Sequence, residues 1–182
     1  MSDALGLMER LGAGKSDVTL PQVSDHFNTW VQIAAPEALA YHQDNLKAHG
    51  DLYGADVRTR LETSRGLLSL DHVRARQVRT MIQTGCTKVL EKCDVIVTPT
   101  IPTPAPRIKG LDQTAISALT RFTRYFNLAR LPAISVPCGF TPDGLPIGIQ
   151  IVGRALDEET VLRVAHAYEQ NARWFERRPP IS

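Results

Sequence analysis

The side chains able to act as nucleophiles, bases or ligands are scattered along these 182 residues without forming a recognisable chemical unit. A serine hydrolase of the common α/β type carries its nucleophile in a Gly-x-Ser-x-Gly elbow, and no such segment occurs. Cys138 could attack a carbonyl, but Pro137 and Gly139 flank it near a strand end. A small buried thiol is the simpler reading there. His26, His42, His49, His72 and His166 include no His-x-x-x-His pair, and Cys86, Cys93 and Cys138 lack zinc-type spacing. Gly12, Gly14 and Lys15 resemble only the tail of a phosphate-cradling loop. Arg58, Arg60, Arg65, Arg74, Arg76 and Arg79 have the spacing of solvated helix faces, with no interleaved aromatics for stacking on bases.

Composition narrows the class. Lys and Arg number 21 against 19 Asp and Glu, a net charge of +2. That balance argues against a nucleic-acid or membrane-surface partner. No run approaches the ~18 apolar residues of a membrane span, and Asp3, Glu9 and Arg10 are out of place in a signal peptide. An odd number of cysteines fits reduced thiols and a cytoplasmic location.

The elements that must position any site follow from periodicity and turn chemistry. Asp3–Leu11 reads as a short helix and “DVTLP” as a brief extended piece. A mostly helical span from Gln22 to His49 should be divided by Pro36, because proline fits a first turn better than a helix interior. Another helix covers about Ala55–Arg65. Ser69 is placed to cap a long one, Leu70–Lys92, with Val78, Met81, Ile82, Cys86, Val89 and Leu90 as its apolar face. “DVIVTPT” is a short strand stopped by Pro99, and the proline-rich “IPTPAPRIKG” is a loop. Asp112–Leu128 is helical, in one piece or two.

The most patterned stretch is “LPAISVPCGFTPDGLPIGIQIVGR”. Thr141-Pro142-Asp143-Gly144 has turn chemistry between two apolar runs, so Ala133–Phe140 and Leu145–Gly153 should pair as an antiparallel hairpin. Ile147, Ile149 and Ile151 share one face. Asp157 caps a last helix with Glu158 and Glu159 in its first turn and a stripe of Val161, Val164, Ala165 and Tyr168.

The ordered segments “CDVIVTPTIPTPAP”, “RFTRYFNLARLPAISVPCGFTPDGLPIGIQIVGR” and “DEETVLRVAHAYEQNARWFERRPP” resemble the carboxy-terminal part of amidase-signature enzymes, with weaker likeness upstream through “APEALAYHQDNLKAHGDLYGADVRTRLE”. The resemblance implies an α/β fold in which several helices pack on a small mixed sheet containing the hairpin. Residues 1–182 then form a single partial domain. It implies hydrolysis of carboxamides by a Ser–cis-Ser–Lys triad, which needs no cofactor or metal. That triad belongs to a Gly- and Ser-rich signature and an upstream lysine, and no Gly-Gly-Ser-Ser run occurs here. No catalytic residue is carried over.

What the resemblance does imply is a wall of a small-molecule amide pocket: Thr120, Thr123, Arg124 and Asn127 on the helix entering the Asn-Leu-x-x-Leu-Pro motif, and Leu156 from the loop after the last strand. Packing or helix capping is the competing role for all five. Glutamine-using amidotransferase subunits of the family tend to carry an acid where Thr120 stands, which argues against that activity. The family usually has Gly where Arg130 stands. The expected product is the inactive carboxy-terminal segment of an amide hydrolase. A non-catalytic interaction remnant, a subunit of a split amidase or amidotransferase, and a hydrolase using Cys138 with His166 are the alternatives. A sheet lacking its neighbours should also self-associate through the isoleucine face or pair with a complementing amino-terminal half.

Overall fold

The hairpin is built by hydrogen bonds that the turn residues supply. In the computed structural model, which describes residues 1–23, 26–109 and 113–178, β2 (Ala133–Phe140) and β3 (Pro146–Val152) pair antiparallel. Between them Gly144 N donates to the Thr141 carbonyl at 2.9 Å and Thr141 N to the Leu145 carbonyl at 2.8 Å. Leu145 N donates to Thr141 Oγ1 at 3.0 Å. Gly144 takes φ +81°, a conformation that glycine adopts at no steric cost. The register slips between Pro137 and Gly139, so Cys138 is the extra residue of a bulge. Pro137, which has no N–H to donate, is tolerated because β2 is an edge strand.

β1 (Ile96–Pro99) adds on the other side of β3, giving the order β1-β3-β2. Both ladders are antiparallel, so the described sheet is uniform where the sequence suggested a mixed one. Its first strand ends at Pro99, as expected.

Two helical layers enclose the central strand. On one face Ile149 and Ile151 pack with Val136, Cys138, Ala4, Met8, Ala165 and Tyr168. The helices supplying that cover are α1 (Ser2–Arg10) and α7 (Glu158–Ala172). Burial of each isoleucine stabilises by about 1.5–3 kcal/mol. On the other face Val152 and Ile96 meet Leu90 and Phe126, from α4 (Ser69–Leu90) and α6 (Arg121–Ala129). The isoleucine face expected to drive self-association is therefore already covered by this chain's own helices, leaving Ile147 at 36% exposure beside the turn. The third cluster, Ile33, Ala75, Ile82, Cys86, Leu128 and Ala129, lies where α2 (His26–His49), α4 and α6 meet. α3 (Ala55–Thr63) and α5 (Gln113–Leu119) complete the helices among the described residues.

Several local expectations change. Pro36 does not divide α2, which runs unbroken through it. Proline removes the donor for the carbonyl four residues back, and that carbonyl, on Gln32, accepts instead from His72 Nδ1 of α4 at 2.9 Å. A carbonyl only accepts, so the His72 Nδ1 carries the proton. Ser69 does not cap α4: the helix starts from the Leu68 carbonyl, which takes Asp71 N and His72 N. Met81 is 60% exposed, and Ala75 takes a place in the buried stripe instead. “DVTLP” forms no strand. It belongs to an irregular strap held by Tyr125, whose hydroxyl donates to the Pro21 carbonyl at 2.9 Å. Pro21 lies so close over α4 that a Cβ on Gly85 would fall 1.9 Å from its Cγ.

The end of α6 explains the unusual arginine. Arg130 N bonds the Asn127 carbonyl and Leu131 N the Phe126 carbonyl, the paired closure of a Schellman motif, and Arg130 sits at φ +57°. A side chain there costs about 1–2 kcal/mol. Arg130→Gly should therefore raise stability by about 1 kcal/mol, after allowing for glycine's entropy in the unfolded chain. His72→Ala should lower it by about 1–3 kcal/mol by stranding the Gln32 carbonyl. Urea unfolding midpoints of the two variants check both signs.

Candidate functional site

The five residues expected to line a pocket do not all come together. Thr120 links α5 to α6, and its hydroxyl donates to the Ser117 carbonyl at 3.3 Å. Thr123 Oγ1 donates to the Thr120 carbonyl at 3.3 Å. Arg124 Nη2 donates to the Ser117 carbonyl at 2.8 Å and to Thr120 Oγ1. Its guanidinium carbon lies 4.5 Å from the centre of the Phe27 ring, on α2. These contacts join Thr120, Thr123 and Arg124 into one corner. Asn127 is exposed a turn further along α6, with its carbonyl occupied in the helix end. Leu156 stands apart: it is 92% exposed in the β3–α7 loop at φ +63°, too open to pack against α6.

Nothing in the sequence pointed to Phe27. A second polar feature was also missed. Thr98, Gln150 and Ser135 are directly opposed across the three strands. Gln150 Nε2 donates to Thr98 Oγ1 at 3.1 Å, and the Thr100 and Ser135 hydroxyls are 2.6 Å apart. Gly148 makes that last bond possible, since a Cβ there would lie 2.8 Å from both hydroxyl oxygens. The signal was Gly148 beside Gln150 on the face opposite the alternating Ile147, Ile149 and Ile151.

None of these groups is an activated nucleophile. The partner of the Ser135 hydroxyl is another hydroxyl, and nucleophilic serine needs a base. Cys138 is buried, and burial raises its thiol pKa. His166 is exposed on α7, so the Cys138–His166 alternative lacks a reactive thiol. Burial likewise raises Cys86 and Cys93, and it pushes the Tyr125 hydroxyl up beside Cys86. Lys15 pairs with Glu9 at 3.5 Å beyond the end of α1, far from the strand-to-helix setting a phosphate loop requires. Among the described residues no three His, Cys, Asp or Glu side chains group as metal ligands, and no helix is long and apolar enough to cross a membrane.

Comparison with known proteins decides the family. The family model described as Amidase matches residues 1–162. The chain belongs to the amidase family. It is 36% identical to an amidase from Pseudomonas putida, over 98% of this chain and 40% of that protein. It is 39% identical to a glutamyl-tRNA(Gln) amidotransferase subunit from Geobacillus stearothermophilus, over 98% of this chain and 42% of that one. It thus spans about two fifths of the length of these relatives. Among solved structures it superposes on the crystal structure of an amidase with a TM-score of 0.79 at 24% identity, covering 94% of this chain and 42% of that chain. With the corresponding glutamyl-tRNA(Gln) amidotransferase subunit from Thermotoga maritima the TM-score is 0.64 at 32% identity, covering 94% and 38%. The mixed helix and sheet architecture expected from the resemblance is therefore that of amidase-family folds.

The thiol environments generate a chemical prediction. Alkylation near neutral pH follows the thiolate fraction and access. In the folded chain Cys86 and Cys138 should resist iodoacetamide and half-buried Cys93 should react slowly. Mass spectrometry should then show at most one label under native conditions and three after denaturation.

Proposed function

We propose that this chain is the carboxy-terminal part of an amide hydrolase, converting a carboxamide to a carboxylate and an amine or ammonia when joined with the amino-terminal part of the architecture. Its contributions are the central sheet and, from Thr120, Thr123, Arg124 and Asn127, one wall of the substrate pocket. Leu156 would join that wall only through cover supplied by the rest of the enzyme. The observation that carries this reading is the alignment of nearly the whole chain with about two fifths of an amidase, combined with a described structure that holds no nucleophile beside a base.

In the mechanism implied by the resemblance, a lysine acts through a bridging serine to deprotonate the nucleophilic serine. That serine attacks the amide carbonyl, backbone amides hold the oxyanion, and water cleaves the acyl-enzyme. All the reacting groups lie outside this chain. The side chains here would hold the substrate against them, which sets effective concentration and orientation rather than bond-making. Pairing with the complementing part is the association we favour, because the isoleucine face is already closed. A cytoplasmic setting agrees with three free thiols.

The chain alone should not turn over simple amides, since removing a complete set of reacting groups commonly costs on the order of 10⁶ in rate. Supplying the amino-terminal part in trans should restore turnover. Aryl-amide hydrolysis measured with each part and with both tests this. Turnover by the chain alone that survives repurification and is lost on changing one of its residues would sink the proposal.

A further inference from the structure

Arg79 holds a buried donor that has nothing to donate to. Its Nε is shut off from solvent and meets no acceptor among the described residues. The residue lies on α4 one turn from both Ala75 and Ile82, which pack with Ala129 at the end of α6. Positions 75, 79 and 82 share that helix face, so Arg79 points to the end of α6. It is half-buried there, where the sequence suggested a solvated face.

Its neighbours have the same sign. Arg76 stands three residues back on α4, and Arg130 directly follows Ala129. Burial lowers the Arg79 pKa, and the charges of Arg130 and Arg76 lower it further, against a smaller opposing effect from Glu37. None of these three arginines, nor Glu37, forms an ion pair among the described residues. The local sequence has no acid to offer: residues 72–90 and residues 113–142 contain no Asp or Glu. The carbonyl end of α6 supplies only about half a negative charge, and its Phe126 and Asn127 carbonyls are taken by Leu131 N and Arg130 N.

Arg130 adds an independent observation. It sits at φ +57°, a conformation that glycine would hold without strain. The chain thus keeps a strained residue that brings a third cation to a place already holding two, and strain of this kind clusters at ligand sites. Arg76 and Arg130 are exposed, so a solute can reach the group. Three guanidiniums against one carboxylate leave two positive charges unmatched. A doubly charged oxyanion matches them in charge, and guanidinium forks suit phosphate in shape.

We propose that Arg76, Arg79 and Arg130 form a binding site for a phosphate dianion, free or carried by a small molecule, where α4 meets the end of α6. The site lies at the opposite end of α6 from the Thr120–Arg124 corner and is independent of the amide-hydrolase reading.

The test titrates the intact chain with inorganic phosphate at fixed ionic strength, with chloride as the balancing anion. The Arg79 Nε–H and the Arg130 backbone amide are followed by NMR. Phosphate should shift both saturably with a millimolar dissociation constant, and chloride should shift neither. Arg130→Gly should unfold at higher urea than the parent chain yet bind phosphate at least about tenfold more weakly, the loss of one charge-assisted contact. Arg79→Gln should lose as much affinity. An arm with glycerol 3-phosphate separates the sources: tighter binding than inorganic phosphate assigns a phosphorylated small molecule, and equal or weaker binding assigns the free ion. No saturable shift beyond the chloride control, or unchanged affinity in Arg130→Gly, would overturn the site. So would loss of phosphate binding on adding the amino-terminal part, because an acid of that part would then be the partner of Arg79.

Discussion

Four consecutive residues of β3, Ile149 to Val152, are almost completely buried, and everything else in the structure answers to that. In a strand successive side chains point to opposite faces, so a run buried throughout needs a cover on both. One cover comes from the two ends of the described chain, α1 and α7, which meet over Ile149 and Ile151. The other comes from the middle, α4 and α6, over Val152. The sheet's two neighbours then follow: β2 by the tight turn and β1 by the free edge that β3 would otherwise expose. Arg154, just past the strand, fastens the arrangement. Its guanidinium donates to the Leu90 carbonyl at the end of α4 and to the Cys93 carbonyl before β1, and it lies near both Asp94 and Asp157.

Polar groups are distributed unevenly over this frame. The face packed by α1 and α7 is largely apolar, and burial raises the pKa of both the Cys138 thiol and the Tyr168 phenol within it. The opposite face carries the Thr98–Gln150–Ser135 row, where hydroxyls satisfy one another across strands. The α5–α6 corner instead buries a guanidinium, that of Arg124, against a carbonyl, a threonine hydroxyl and the Phe27 ring. Those contacts tie α5, α6 and α2 together through one side chain.

Much of the fold was legible because local chemistry and long-range packing agree. Pro142 and Gly144 set the hairpin, Asp157 caps α7 through Thr160 N at 3.3 Å, and Pro99 ends β1. The failures share a physical cause: a distant residue replaced what the local sequence lacked. Pro36 should have broken α2, but His72 from another helix satisfies the carbonyl it strands. Met81 has helical spacing yet points to solvent, because Ala75 and Ile82 suffice where α2 packs closely. The corner was half legible. Resemblance named Thr120, Thr123, Arg124 and Asn127, but Phe27 lies almost a hundred positions upstream, and no periodicity links it to α6. Leu156 was placed by resemblance alone, and no described residue covers it.

The exchange between Pro36 and His72 has a consequence for how this sequence can change over generations. The two positions form one hereditary unit. A lineage that loses the proline regains an amide donor within α2, and position 72 is then released to drift. A lineage that keeps the proline holds position 72 to side chains that can donate across the helix pair. Among relatives, freedom at residue 72 should therefore track the residue at 36, although neither position touches the α5–α6 corner through any contact described.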